Sequence, residues 1–196
     1  LLMPAWEREG YIGVKMVNVF PQNAEHGLPA IAGVYLLSEG AHGRPLACLD
    51  GSELTRRRTA AASALAAREL AREDAETLLV VGTGKLAPMV IEAHAAVRPI
   101  RRVRIWGRSL AKAEALAAEY VDRFDTRAVT DLEAATREAD IISCVTLSTE
   151  PLIRGAWLAP GTHLDLIGAF RPTMRETDAE CLVRSEVFVD TYAGAR

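Results

Sequence analysis

Hydrophobic and polar positions follow two rhythms along this chain. Up to about Ser52, apolar residues alternate with polar ones or gather in β-branched runs at 11–20, 31–38 and 45–49. Pro21, Gly27-Leu28-Pro29 and residues 39–43 separate these runs. Such a pattern predicts strands and turns, with the last two runs closing an antiparallel hairpin. From Thr55 the rhythm changes. An alanine-rich helix over 56–73, with Thr55 as its N-cap, leads to strands near 78–81, 102–106, 126–129, 140–145, 162–167 and 187–190. Helical stretches fall between most of them. That alternation predicts an α/β fold with a doubly wound parallel sheet of the Rossmann kind, covered on both faces. Six such strands suffice for a complete nucleotide domain. The expected division is a β-rich segment over 1–59 and the α/β domain over 60–196.

Two corners of the α/β part carry candidate chemistry. The run Leu78-Leu79-Val80-Val81 breaks into Gly82-Thr83-Gly84-Lys85-Leu86-Ala87 and then a helical pattern. In a dinucleotide fold the first glycine permits the tight turn and the second lets the backbone approach a pyrophosphate. A small third residue, here Ala87, allows the helix to pack on the strand. The amides of the following helix start, at Lys85 and Leu86, can hold the phosphates. Glycine turns also end ordinary strands; the strand before and the helix after favour the nucleotide reading here. Position 79 is Leu, so the spacing of a P-loop is not met. The next strand ends in Trp106-Gly107-Arg108-Ser109. An acidic residue there would accept from an adenosine 2′-hydroxyl and repel a 2′-phosphate. Arg108 reverses that preference, and Ser109 adds a hydroxyl while capping the next helix. The cofactor expected is NADP(H), with NAD(H) also accepted. The alternative is a solvated arginine beside a simple cap.

The β-rich segment has two anomalies. In Ile12-Gly13-Val14-Lys15-Met16-Val17 a lone charge sits among apolar residues. Burying an uncompensated ammonium costs several kcal/mol in order of magnitude. Lys15 therefore either snorkels at a sheet edge or faces an anionic ligand. Second, Thr55-Arg56-Arg57-Arg58-Thr59 puts three arginines in the first turn of the expected helix, where cations oppose the dipole. Asp50 and Glu53 can neutralise some of them. An arginine at a helix start near a buried lysine also suits a carboxylate.

Composition narrows the classes. The 196 residues are 49% hydrophobic and 25% charged, with net charge −3, which argues against a nucleic-acid or membrane surface as the main partner. Cys48, Cys144 and Cys181 lie far apart, without a disulfide framework or metal motif, which suits a reducing, cytoplasmic setting. The charge-free run 27–38 is far short of a membrane span. No signal peptide is apparent, and His26, His42, His94 and His163 lack metal-ligand spacing. Asp178 and Glu180 read as a solvated helix face. The opening Leu-Leu-Met-Pro reads as that of a fragment.

Several of these segments together resemble the ornithine cyclodeaminase/mu-crystallin family, over nearly the whole chain and in the family's order. They are Gly13-Val14-Lys15-Met16-Val17-Asn18, Leu49-Asp50-Gly51, Leu54-Thr55-Arg56-Arg57-Arg58-Thr59-Ala60-Ala61, the Gly82 turn, and His163-Leu164-Asp165-Leu166-Ile167-Gly168-Ala169. The resemblance implies that 1–59 is part of a substrate domain that also forms a homodimer in the full-length protein. It implies a substrate-contacting, catalytic Lys15, a carboxylate-binding Arg58, and a wall near the nicotinamide at Thr146 and Leu147. The family includes ornithine cyclodeaminase, Δ1-pyrroline-2-carboxylate and other ketimine reductases, some alanine dehydrogenases, and mu-crystallins that store a ligand without turnover. Ornithine cyclodeaminase carries an aspartate where this chain has Phe170, which can neither accept a proton nor hold an ammonium. The family's first strands, a further arginine and its closing segment also have no counterpart in this chain. The resemblance therefore implies a ketimine reductase-like branch, with a small imino- or amino-acid substrate and an incomplete substrate domain.

Overall fold

The computed structural model describes residues 1–29 and 31–192. The chain separates into two compact units, Leu1–Thr59 and Ala60–Arg196. In the first, β1 (Leu2–Trp6), β2 (Tyr11–Val19), β3 (Ile31–Glu39) and β4 (Pro45–Asp50) form an antiparallel sheet in chain order. The β3–β4 hairpin pairs as the alternation predicts, with a register shift between Leu37 and Ser38. Strand β1 lies outside the expected set because Pro4 interrupts its apolar run. Proline lacks a ladder donor, and β1 tolerates it as an edge strand, with Pro4 opposite Val14.

Helix α1 spans Gly51–Leu70, so its start corrects the sequence expectation. No loop separates it from β4. The Asp50 carboxylate accepts from the amides of Ser52 (2.7 Å) and Glu53 (3.1 Å), and caps the helix. The Thr55 hydroxyl instead donates back to the Gly51 carbonyl at 2.6 Å, inside the helix. Arg56, Arg57 and Arg58 thus lie beyond the first turn, and the expected conflict with the helix dipole is absent there.

The second unit holds β5 (Thr77–Val81), α2 (Ala87–Val97), β6 (Arg102–Trp106), α3 (Leu110–Ala118), β7 (Asp125–Ala128), α4 (Leu132–Glu138), β8 (Ile141–Cys144), β9 (His163–Leu166) and α5 (Ala179–Val183). Its five strands are parallel in the order β7-β6-β5-β8-β9. Strand β5 is buried on both faces, which is why its sequence is apolar without alternation. Leu78 and Val80 pack with Ile91, Ile105 and Leu116, whereas Leu79 and Val81 pack with Ala135, Ile142 and Ile153 on the other side. Each of these four β5 side chains contributes roughly 1.5–3 kcal/mol by leaving water.

A sixth strand does not form at 187–190. Val187, Phe188 and Val189 are unpaired and about half exposed. β-branched and aromatic residues favour a strand only where a neighbouring edge supplies the ladder. Among the described residues no helix is long and apolar enough to cross a membrane.

Candidate functional site

The strand order determines where a ligand can lie in the second unit. Connections leave β5 toward β6 on one side, while β8 pairs with its other side. The carboxyl ends of β5 and β8 therefore flank a switch point, where parallel sheets open a crevice. Gly82 stands there with φ of 124°, a conformation that strongly favours glycine. A Cβ at this position would also lie 3.0 Å from the Val145 carbonyl oxygen and side chain. At Gly84 a Cβ would meet nothing within 4 Å, so open space lies over the turn. Lys85 is exposed, Leu86 is half-buried, and Ala87 is fully buried against the core. No side chain caps the start of α2. Thus the turn brings an accessible backbone and an uncapped helix start together, as phosphate binding requires.

The second corner packs directly on the first. The Gly82 amide donates to the Trp106 carbonyl at 2.8 Å, and a Cβ at Gly107 would lie 2.7 Å from the Thr83 methyl. Arg108 and Ser109 follow on the surface. Arg108 has no ion-pair partner among the described residues. Ser109 occupies the N-cap position of α3, but its side chain makes no capping bond. Its hydroxyl is not committed to the helix, contrary to that part of the sequence expectation.

Thr146 and Leu147 follow β8, and Leu147 is exposed. A residue that the sequence reading missed holds this loop. The buried Glu176 carboxylate accepts from the Thr146 amide and hydroxyl, both at 2.7 Å, and from the Gly168 amide at 2.9 Å. Asp178 was also misread. It caps α5, accepting from the amides of Gly155 (2.9 Å) and Cys181 (3.1 Å), while Glu180 is exposed.

A second missed cluster lies deeper in this unit. Asp165 accepts hydrogen bonds from Ser63 and, at 2.7 Å, from Ser143, and His94 Nε2 stands 3.7 Å away. Burial pushes the Asp165 carboxyl up, but bonds to His94, Ser63 and Ser143 prevail and hold it below the usual range. Ser, His and Asp meet here without forming a hydrolytic triad. Ser63 and Asp165 both approach Nε2, His94 Nδ1 has no partner, and the ring is fully buried.

The first unit gathers a different set. Lys15 Nζ donates to Thr55 Oγ1 at 3.4 Å. Tyr35, opposite Lys15 in the β2–β3 register, lies over Gly13: a Cβ there would be 2.7 Å from the phenol Cζ. Glu53 pairs with Arg56 and with Arg57 (2.7 Å), whereas Arg58 and Lys15 have no acidic partner among the described residues. Burial and then the Arg58 charge lower the Lys15 pKa. This leaves two neighbouring cations without an anion.

The model of the ornithine cyclodeaminase/mu-crystallin family matches residues 1–196. The chain belongs to that family. It is 44% identical to a Delta(1)-pyrroline-2-carboxylate reductase of Paracoccus denitrificans, over 95% of this chain and 60% of the relative. The Thermococcus litoralis Delta(1)-pyrroline-2-carboxylate reductase in complex with NADH and L-proline superposes with a TM-score of 0.82 at 28% identity, covering 94% of this chain and 62% of that one. An archaeal alanine dehydrogenase dimer with bound NAD gives a TM-score of 0.92 at 32% identity, over 99% and 60%. The chain spans about 61% of the length of the first curated relatives it matches. Within this family frame, Phe170 lies exposed in the segment after β9, with the Arg171 guanidinium 5.6 Å from its ring centre.

Proposed function

We propose that the protein is an NADPH-preferring reductase of small cyclic imino acids of the Δ1-pyrroline-2-carboxylate or Δ1-piperideine-2-carboxylate type. The observation that carries the substrate class is the unpaired Lys15 and Arg58, two cations that a substrate carboxylate would neutralise. The relatives named for this reaction support its type. Gly82, Thr83, Gly84, Lys85 and Leu86 would hold the pyrophosphate, Arg108 and Ser109 the 2′-phosphate, and Thr146 and Leu147 would bound the nicotinamide. NAD(H) would be accepted less well. The reduced nicotinamide, when bound, supplies the hydride that adds to the imine carbon.

The chain's own residues would position and polarise. Arg58 offers the carboxylate a planar pair of donors. Lys15, held by Thr55 and with its pKa lowered, is a stronger acid than a free lysine. It would give its proton to the imine nitrogen, directly or through water, as that nitrogen gains electrons. Phe170 leaves no carboxylate at the position linked to ornithine deamination. An exposed apolar set on one sheet face, Leu2, Trp6, Ile12, Met16 and Leu36, suits a homodimer contact. Three free cysteines, with Cys48 exposed, suit the cytoplasm.

The close superposition on the alanine dehydrogenase favours one second reading, reduction of pyruvate with ammonia. The test measures NADPH oxidation by the purified protein with both cyclic imines and with pyruvate plus ammonia, alongside ammonia release from ornithine. Turnover of a cyclic imine well above the other substrates is the expected outcome. No turnover of either imine overturns the proposal, and nucleotide binding without any turnover would favour a storage role.

A further inference from the structure

Glu176 is a buried carboxylate with no place in the chemistry just described, yet its bonds converge on one loop. Among the described residues its two carboxylate oxygens accept from three donors: the Thr146 amide, the Thr146 hydroxyl and the Gly168 amide. Its backbone carbonyl accepts from the amides of Leu152 (2.8 Å) and Ile153 (3.0 Å). One residue thus fastens both ends of the loop between β8 and residue 153. Ser148 is tied in as well, its amide donating to Thr146 Oγ1 at 3.3 Å and its carbonyl accepting from the Arg175 amide at 2.7 Å. Gly168 completes the clamp. A Cβ there would lie 2.6 Å from Glu176 Oε1, so the post-β9 backbone meets the carboxylate closely. An ionised carboxylate is acceptor-only and matches this all-donor surrounding, whereas a glutamine amide would turn donors toward at least one N–H.

The clamped loop stands where the strand order gives it a consequence. A dinucleotide with its adenosine at the end of β6 and its pyrophosphate at Gly82 extends toward β8, the next strand across the switch point. We infer that Glu176 is a positioning residue that fixes the Thr146–Leu147 wall and so sets the geometry at the nicotinamide end of the bound cofactor. The inference rests on the dinucleotide reading proposed above. It assigns Glu176 no contact with the cofactor itself.

The clamp and a merely structural role separate when two ligands are compared on the purified protein. NADPH spans the whole crevice, and adenosine 2′,5′-bisphosphate occupies only the adenosine end. In Glu176→Gln the dissociation constant for NADPH should rise about tenfold, the scale of one lost charge-assisted bond. That for adenosine 2′,5′-bisphosphate should stay within about twofold. Thr146→Val, which removes only the hydroxyl donor, should show the same split at about threefold, and serves if the glutamine variant does not fold. Unchanged NADPH affinity in a folded variant overturns the clamp, as does a parallel loss for both ligands. Wild-type protein that binds neither of these ligands nor NADH overturns the dinucleotide reading itself, and the clamp with it.

Discussion

The two units treat charge in opposite ways. In the second, Asp165 is almost enclosed, but Ser63, Ser143 and His94 gather around its carboxylate and the charge is compensated from within. In the first, Glu53 neutralises Arg56 and Arg57, while Arg58 and Lys15 stand together with no acidic partner among the described residues. A compensated buried charge contributes to folding; Arg58 and the half-buried Lys15 carry charge that no acidic side chain among the described residues balances. The pKa directions express the same contrast. Asp165 is shifted toward its charged form and Lys15 toward its neutral one. Function is thus sought where the protein left its electrostatics incomplete.

The largest expected effect comes from breaking the incomplete side. Lys15→Met should reduce kcat about 10²- to 10⁴-fold, the usual range for a positioned proton donor. Arg58→Met should mainly raise KM for the imino acid, because a carboxylate held by both cations would lose one of them. Neither variant should lose NADPH affinity or thermal stability, since each removes a charge that lacks a partner. The check is steady-state kinetics with nucleotide titration and thermal melts. Loss of cofactor affinity in Lys15→Met would mean that the lysine has been assigned to the wrong task.

Breaking the complete side should do the reverse. Asp165→Asn should cost about 1–3 kcal/mol of stability, because an amide accepts less strongly than the carboxylate and turns an N–H toward the Ser63, Ser143 and His94 grouping. Catalytic parameters of the protein that remains folded should change little. The pH dependence has a definite sign. The folded Asp165 pKa lies below the ordinary 3.8, so its stabilisation is present above that value and is lost as pH falls through the folded one. Burial lowers the His163 pKa below 6.5, so its contribution is full above 6.5 and falls as pH drops toward the folded value. Melting temperature should therefore decline in two stages on acidification, and Asp165→Asn should shrink only the more acidic one, since carboxyls such as Asp140 and Asp178 are also held low and keep part of it. A variant that melts like wild type at neutral pH, where the Asp165 contribution is fully present, would show that the cluster is not a source of stability.

How far these features were legible in the sequence depended on the distance over which their causes act. Strand β5 and the Gly82 turn were legible because burial on both faces and a positive φ dictate residue type locally. Lys15 was legible as a charge inside an apolar run. Asp165 sits in an equally apolar run and offered the same signal, but its partner Ser63 lies 102 positions away. Glu176 offered no such signal, since its meaning comes from amides 8 and 30 positions distant. The helix start was misplaced because Asp50 and Thr55 are both competent caps. The absence of a loop after β4, a tertiary fact, decides between them. The run at 187–190 failed for a related reason, since propensity proposes a strand but an edge must accept it.

The smallest expected effect sharpens the comparison at the cofactor corner. Arg108 shares with Arg58 the absence of an acidic partner among the described residues, but it lies at the end of β6 beside the glycine turn. Its suggested ligand is one phosphate group rather than the reacting molecule. Arg108→Ser should lower the ratio of kcat/KM for NADPH over NADH about tenfold, the worth of one charge-assisted contact at an exposed site. The NADH value itself should hardly move. Stability should stay within about 0.5 kcal/mol, because an exposed, unpaired side chain supports nothing around it. The ratio should also fall with added salt, since an exposed phosphate–guanidinium contact is screened. An unchanged ratio in the serine variant would make Arg108 a solvated arginine and leave the choice of cofactor to the turn itself.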